Sequence, residues 1–351
     1  MNNFKQHIYL WYSANKRELP WRETANPYKI WLSEIILQQT RIAQGISYYH
    51  RFIEEFPTIF ELAKAPEDQV LKLWQGLGYY TRARNLHSTS KFIVKYFKGV
   101  FPDDYKTILS LKGVGQYTAA AVASIAFDLP YPTVDGNVYR VISRYFGITE
   151  PIDSDKGKKQ IHQIAEELMP KNNCGFHNQA LMEFGALQCI PQSPKCNLCP
   201  LKETCFAVKM NLQNELPIKS KKTKQRNRYF YYYLIESGDS VFLEKREGND
   251  IWRNLYQLPL LETNKELSEA ELLNTEPLFF NQSEINIKSI SAIKKHVLSH
   301  QIIYARLIHV ESNHTKSLIE HFIQTNKKDI FNFAVPKLVE EFLNEARFGE
   351  N

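Results

Sequence analysis

No apolar run among the 351 residues of this chain approaches the roughly 20 that a membrane-spanning helix needs. Residues 1–22 interrupt their apolar side chains with Lys5, His7, Lys16, Arg17 and Glu18, so the segment lacks the hydrophobic stretch of a secretory signal. Internal repeats and long low-complexity tracts are absent, and cysteine is scarce, at five residues. These absences point to a soluble cytoplasmic protein with no membrane partner. Its clustered thiols, four of the five lying between Cys189 and Cys205, suit a metal centre better than disulfides.

What is present suffices for two ordinary domains, since 43% of residues are apolar and 13% aromatic; disorder of the whole chain is excluded. The formal charge of +6 favours a polyanionic partner without identifying one. From Lys29 to about Ala207 apolar residues recur at helical spacing (Leu71 and Trp74; Ile161, Ile164 and Leu168) between Gly and Pro punctuation, and strand signals are nearly lacking. A mostly α N-terminal domain is expected there. At Arg228 the texture changes: Tyr229 to Ile235 is aromatic and apolar, Ser237-Gly238-Asp239 reads as a turn, and Val241 to Glu244 reads as a partner strand. The run from Val335 through Leu343 predicts a closing helix, so the second domain is α+β. Between the two, Lys219, Lys221, Lys222, Lys224, Arg226 and Arg228 occupy a segment without large apolar residues, a solvated linker able to touch phosphate.

Cys189, Cys196, Cys199 and Cys205 follow the spacing C-x6-C-x2-C-x5-C, enough thiolates for four-coordinate ligation by sulfur. Ligand type alone leaves zinc and an iron–sulfur cluster both open. Cys174 lies outside the spacing and reads as an ordinary thiol.

Leu111-Lys112-Gly113-Val114-Gly115-Gln116-Tyr117 sets two glycines between an apolar helix end and a small-residue helix over Ala119 to Ala126. Glycine permits positive φ and leaves backbone N–H groups open to a phosphate, although a tight turn between packed helices asks for nothing more. Val134-Asp135-Gly136-Asn137 then precedes the apolar helical run Val138, Val141, Ile142 and Tyr145. Asp135 is expected to cap that helix and to stay ionised at its N-terminus. On its own helix Glu34 falls among Ile30, Trp31, Leu37 and Gln38, a mostly apolar setting that raises the pKa of an acid.

The cysteine spacing, the hairpin with its following aspartate, and Trp31-Leu32-Ser33-Glu34-Ile35-Ile36-Leu37-Gln38-Gln39-Thr40 together resemble the helix-hairpin-helix, endonuclease III superfamily of DNA glycosylases, and within it the MutY-type adenine DNA glycosylases. The resemblance runs from Trp11 to about Phe342. It implies a helical glycosylase domain over 1–206 that includes an iron–sulfur loop (189–205), a basic linker over 207–227, and a Nudix-like lesion-recognition domain over 228–347. A [4Fe–4S] cluster on Cys189, Cys196, Cys199 and Cys205 is implied as cofactor. The implied substrate is double-stranded DNA with adenine opposite 8-oxoguanine or guanine, bound by a monomer associated with the nucleoid.

The resemblance also assigns roles. Breaking an N-glycosidic bond develops oxocarbenium character at the sugar; Glu34 would protonate the departing adenine, and Asp135 would stabilise or capture the cation, supported by Tyr117 and Asn137. Arg22 and Gln179 would bind adenine. Gln39, Tyr79 and the hairpin residues Gly113, Val114 and Gly115 would contact DNA, while Leu298, Ser299 and His300 would read 8-oxoguanine. Leu298 stands where phenylalanine is usual and stacks less well; read alone, that stretch is a β-hairpin turn with two solvent-facing histidines. Lys112 replaces the usual proline. Tyr117 occupies the position where the bifunctional branch carries a Schiff-base lysine, which opposes the alternative of an oxidised-pyrimidine glycosylase that nicks DNA. A catalytically idle iron–sulfur DNA-binding protein is the other alternative, opposed by intact Glu34 and Asp135. The stretch Leu260 to Leu273 has no glycine and no R-E-x-x-E-E core, so pyrophosphate hydrolysis is not expected.

Overall fold

The computed structural model describes residues 2–220, 225–275, 285–312 and 316–346. They form two compact units, the first made of Met1–Lys64 and Asn85–Lys221 and the second of Ala65–Arg84 and Lys222–Asn351. Lys221, Lys222 and Lys224 of the basic linker lie outside the described residues.

The first unit is helical. Its elements are α1 (Asn2–Asn15), α2 (Pro27–Leu37), α3 (Ile42–Glu55) and α4 (Ile59–Lys64); then, beyond α5 (Glu67–Trp74) of the second unit and α6 (Thr81–Phe97), α7 (Tyr105–Ser110), α8 (Gln116–Phe127), α9 (Gly136–Phe146), α10 (Asp155–Leu168), α11 (Cys174–Leu187) and the short α12 (Phe206–Lys209). α2 starts where Asn26 Oδ1 accepts from the amides of Tyr28 and Lys29 and Pro27 supplies a pre-set φ at the first helical position. Ala119, Ala120, Ala121 and Ala123 are buried on α8, and their small side chains let this helix pack closely against α2, α7 and α11. α9 runs from its Asp135 cap to Gly147 at φ 73°. It buries Val138, Val141 and Ile142 against Ile161, Leu168 and Phe184, each such side chain contributing roughly 1.5–3 kcal/mol. α1 lies ahead of the helical pattern read from Lys29 onward. Its Phe4, Ile8 and Tyr12 recur every fourth residue and enter the same core; the signal was present but blurred by Tyr9, Leu10 and Trp11, which are apolar too but only partly buried or exposed.

The second unit is a mixed sheet covered on both faces. Its strands are β1 (Arg226–Ser237), β2 (Ser240–Lys245), β3 (Tyr256–Gln257), β4 (Leu260–Thr263), β5 (Ile285–Ile290), β6 (Lys294–Val297), β7 (Gln301–Ser312) and β8 (Ile323–Asn326). The order is β3-β2-β1-β7-β5, with β4 on β1, β6 on β7 and β8 on β2. β1 and β7 are parallel, from Arg226 beside Gln301 to Glu236 beside Glu311. Alternation along β1 sends Phe230, Tyr232 and Leu234 to one face, against Leu338, Val339 and Phe342 of the closing helix (Lys337–Glu345). Tyr231, Tyr233 and Ile235 go to the other, with Leu267 and Leu272. A strand buried on both faces is why Tyr229 to Ile235 reads as an unbroken apolar run.

The stretch Ala65–Arg84, which the family resemblance assigns to the helical domain, packs within this second unit. Asp68 accepts from Lys245 Nζ at 2.7 Å and from the Tyr256 hydroxyl at 2.8 Å, and Lys72 Nζ donates to the Phe333 carbonyl at 3.2 Å.

Candidate active site

α2, α8, α9 and α11 enclose a cleft of about 210 Å³ lined by Arg22, Glu34, Tyr117, Asp135, Asn137 and Gln179 among others. The first unit therefore gathers at one place every residue expected to act on adenine. Glu34 is 7% exposed. Burial pushes its carboxyl up to about 7; a hydrogen bond with Tyr117 and the charge of Arg22 oppose the shift, and Asp135 adds to it. The Tyr117 hydroxyl is itself pushed well up by burial and by its two acidic neighbours, so it remains a phenol.

Asp135 caps α9 as the sequence predicts: one carboxylate oxygen accepts from the amides of Asn137 (2.9 Å) and Val138 (2.8 Å), the other from Asn137 Nδ2 (2.6 Å). Burial raises its pKa, and the hydrogen bonds only partly offset that.

Behind the aspartate, Arg140 NH2 donates to Asn137 Oδ1 (2.8 Å) and to the Gly185 carbonyl (2.6 Å), while its Nε donates to the Cys189 carbonyl (2.6 Å). One turn on, Arg144 NH1 reaches Cys189 Sγ at 3.4 Å and the Ile190 carbonyl at 2.7 Å. Two buried arginines thus tie the helix that bears Asp135 to the cysteine loop. Their signal in the sequence is a pair of charges four residues apart on the buried face of α9.

The opposite wall was missed by sequence reasoning. Glu183 is 1% exposed and is gripped by Arg17 (Nε to Oε1, 2.8 Å) and by Arg22 (NH1 to Oε1, 3.0 Å; NH2 to Oε2, 2.8 Å). Burial alone would raise Glu183, but the two arginines outweigh it and hold it at about 2. Arg22 is therefore fixed by a carboxylate before any base arrives, and Gln179 is likewise held, its Oε1 accepting from the Tyr12 hydroxyl at 3.2 Å. A lone acid in the apolar run Ala180-Leu181-Met182-Glu183-Phe184 was the available signal.

The other expected contacts lie outside this cleft. Gly113 turns the hairpin at φ 79°, and a Cβ there would meet the Asn85 side chain at 2.6 Å, so both conformation and space demand glycine. Gly115 caps α8 in extended backbone, whereas the Val114 side chain is buried, which leaves its backbone as the group able to meet DNA. Gln39 is exposed at φ 56°.

In the second unit, Tyr79 is 48% exposed at φ 48°, and its hydroxyl donates to Ser299 Oγ at 3.2 Å. Tyr79, Leu298, Ser299 and His300 line a pocket of about 420 Å³ with Trp252 and His296. The turn between β6 and β7 is the expected hairpin, with His300 exposed but His296 half-buried 5.9 Å from the Trp252 ring. Arg228 departs from the linker reading. It is buried and bound to Asp250 (2.7 Å) and Glu262 (2.7 Å), so it holds the sheet and is not free to meet phosphate.

The four loop cysteines are unbridged and partly buried, and Cys199 lies within electrostatic reach of Cys189, Cys196 and Cys205. Among the described residues no group of three or more His, Cys, Asp or Glu side chains is disposed to hold a metal ion. A four-iron cubane binds one thiolate at each iron, so it accepts sulfurs spaced more widely than the roughly 4 Å of a single tetrahedral ion. Four unbridged thiols on one loop, within electrostatic reach of one of their number, are a donor set whose chemistry fits such a cluster.

Residues 32–171 match the HhH-GPD superfamily of base excision DNA repair proteins, and residues 230–345 match the NUDIX domain. The chain is 38% identical to the adenine DNA glycosylase of Buchnera aphidicola subsp. Baizongia pistaciae, over 96% of this chain and 93% of that protein. The chain belongs to the adenine DNA glycosylase family. The adenine DNA glycosylase of Buchnera aphidicola subsp. Acyrthosiphon pisum is 33% identical over 95% of this chain and 93% of its own length. Among solved structures, a thermostable thymine-DNA glycosylase is 32% identical, covers 60% of this chain and 96% of its own, and superposes with a TM-score of 0.56. The fold expected from the sequence, a helix-hairpin-helix domain followed by a Nudix-like domain with a mixed sheet, is the one found. Among the described residues no helix is long and apolar enough to cross a membrane.

Proposed function

We propose that this chain excises adenine mispaired with 8-oxoguanine or guanine from duplex DNA and leaves an abasic site without cutting the strand. The observation that carries the reading is a buried glutamic acid, raised to about 7, facing a capped aspartate across a cleft of about 210 Å³. A base must leave the stack to reach such a site. Glu34, which keeps its proton in about half of the molecules near neutral pH, donates it to the purine and turns it into a better leaving group. As the C1′–N9 bond breaks, the Asp135 carboxylate stabilises the positive charge at C1′ or bonds to it, held in place by Asn137. Arg22 and Gln179 hydrogen-bond the adenine edge, and their prior fixation by Glu183 and Tyr12 limits the reorganisation needed on binding. Tyr117 offers a phenol where an amine would be needed to form a Schiff base and nick the strand.

Gln39, Tyr79 and the hairpin amides of Gly113, Val114 and Gly115 hold the opened duplex, and Leu298, Ser299 and His300 read the oxidised guanine. Cys189, Cys196, Cys199 and Cys205 would hold a [4Fe–4S] cluster, whose contribution is to cross-link the loop that Arg140 and Arg144 tie to the helix bearing Asp135.

Purified wild type and Glu34→Gln are incubated with duplexes containing adenine opposite 8-oxoguanine, thymine glycol opposite adenine, or normal pairs only, each with and without hot alkali. The expected result is alkali-dependent cleavage at the mispaired adenine alone, lost in Glu34→Gln. Alkali-independent nicking at thymine glycol would overturn the reading in favour of an endonuclease III-like activity.

A further inference from the structure

Met182, on α11, borders the cleft, and its Sδ receives the Tyr117 hydroxyl at 3.6 Å. The same hydroxyl is hydrogen-bonded to Glu34, so one phenol with a single proton serves two neighbours. While Glu34 is protonated, it donates to Tyr117 Oη and the phenol proton points at the thioether. When Glu34 is ionised, the phenol turns and donates to the carboxylate. A thioether is a weak acceptor, so it takes the phenol proton without holding it, and Tyr117 follows Glu34 through each change of protonation. The Met182 side chain is half-buried, which leaves its sulfur within reach of a small oxidant entering the cleft.

We propose that Met182 is a sulfoxidation site through which peroxide reversibly shuts off the cleft; the proposal rests on the glycosylase reading above. The sulfur attacks one oxygen of hydrogen peroxide, the O–O bond breaks, and the departing hydroxide leaves as water after proton transfer. The thioether loses two electrons to become a sulfoxide, and the peroxide is reduced. A sulfoxide oxygen is a strong acceptor, attached to the atom that already receives the Tyr117 hydroxyl. It keeps the Tyr117 proton from turning to Glu34 once that acid has given its own proton away, which opposes the transfer, and it adds a polar atom to a space of about 210 Å³, displacing base and acid from alignment. Methionine sulfoxide is returned to the thioether by its reductases, so the shut-off is reversible.

The full-length, cluster-loaded protein is treated with hydrogen peroxide, and oxidation of each methionine is followed by peptide mass spectrometry. Met210, 58% exposed, serves as an internal reference. Adenine release from a duplex with adenine opposite 8-oxoguanine is measured in single turnovers for wild type and Met182→Leu, each against its own untreated rate, before and after methionine sulfoxide reductase. In wild type the rate should fall roughly ten- to a hundredfold in step with Met182 oxidation and return with the reductase; treated Met182→Leu should keep its rate although Met210 is oxidised. Three results would each overturn the proposal: Met182 unmodified when Met210 is fully oxidised, Met182 oxidised with no loss of rate, or Met182→Leu losing as much as wild type. The reductase step in wild type decides the matter if Met182→Leu fails to fold. No adenine release from untreated wild type is a separate outcome, which overturns the functional reading itself.

Discussion

The cleft of the first unit and the polar layer of the second treat buried charge in opposite ways. In the cleft, burial lifts Glu34 to about 7 and raises Asp135 too. In the second unit, burial also acts on Arg228 and Asp250, yet each outweighs it for the other: the guanidinium, shared with Glu262, is held above its ordinary value and the Asp250 carboxyl below its own. Paired charges stabilise a fold in one protonation state. A buried acid whose partners fall short of offsetting its burial is kept near its switching point, where it can give up a proton. Glu183 sharpens the contrast, because it lines the same cleft as Glu34 and is also buried, yet two arginines hold it at about 2.

The largest expected effect breaks the first half of that comparison. Because the folded-state value of Glu34 lies above that of an ordinary carboxyl, the native protein keeps a proton that the unfolded chain loses. Stability therefore declines as pH rises from about 4.5 through about 7, and adenine release falls as pH climbs above about 7. Glu34→Gln should lower single-turnover adenine release about 10²- to 10⁴-fold and abolish the descending limb near pH 7. A limb that persists unchanged in the variant would show that another group titrates there.

Next comes Glu183→Gln, which leaves Arg17 and Arg22 without their carboxylate. Denaturant unfolding should show a loss of about 3–5 kcal/mol, and wild type should lose that contribution only as pH drops from about 4.5 towards 2, since this carboxyl is depressed. A stability difference between wild type and Glu183→Gln that already shrinks as pH falls from about 7 to about 5 would refute the assignment of Glu183 as the paired acid. The smallest effect is expected in the sheet. Asp250 and Glu262 are 34% and 41% exposed and regain water when Arg228 is removed, so Arg228→Ala should cost about 1–3 kcal/mol and leave the pH midpoint of adenine release in place. A shifted midpoint would mean that the polar layer of the sheet reaches the chemistry.

Much of the fold was legible because periodicity is local. The helical texture up to Ala207, the change at Arg228 and the closing helix all come from side-chain spacing along one element. α1 escaped because Tyr9, Leu10 and Trp11 fill the gap between Ile8 and Tyr12 with apolar side chains on other faces and blur the period, and the membership of residues 65–84 in the second unit escaped because nothing local records which neighbours a helix will find. The cysteine spacing, Glu34 and the hairpin with its following aspartate were readable as motifs, each being contiguous. Glu183, Arg17 and Met182 were not singled out, since their meaning depends on what lies across the cleft.

Capping, spacing and glycine geometry are local, and they set which elements form and where the carboxyl groups lie along them. The state of those carboxyl groups came from folding. Glu34, Asp135 and Glu183 are ordinary acids in an extended chain. Burial raises the first against the hydrogen bond of Tyr117, burial outweighs the cap of the second, and two guanidiniums from distant segments hold down the third. Desolvation and charge pairing act through space, over a few ångströms and across long stretches of sequence, so they exist only once the chain has folded.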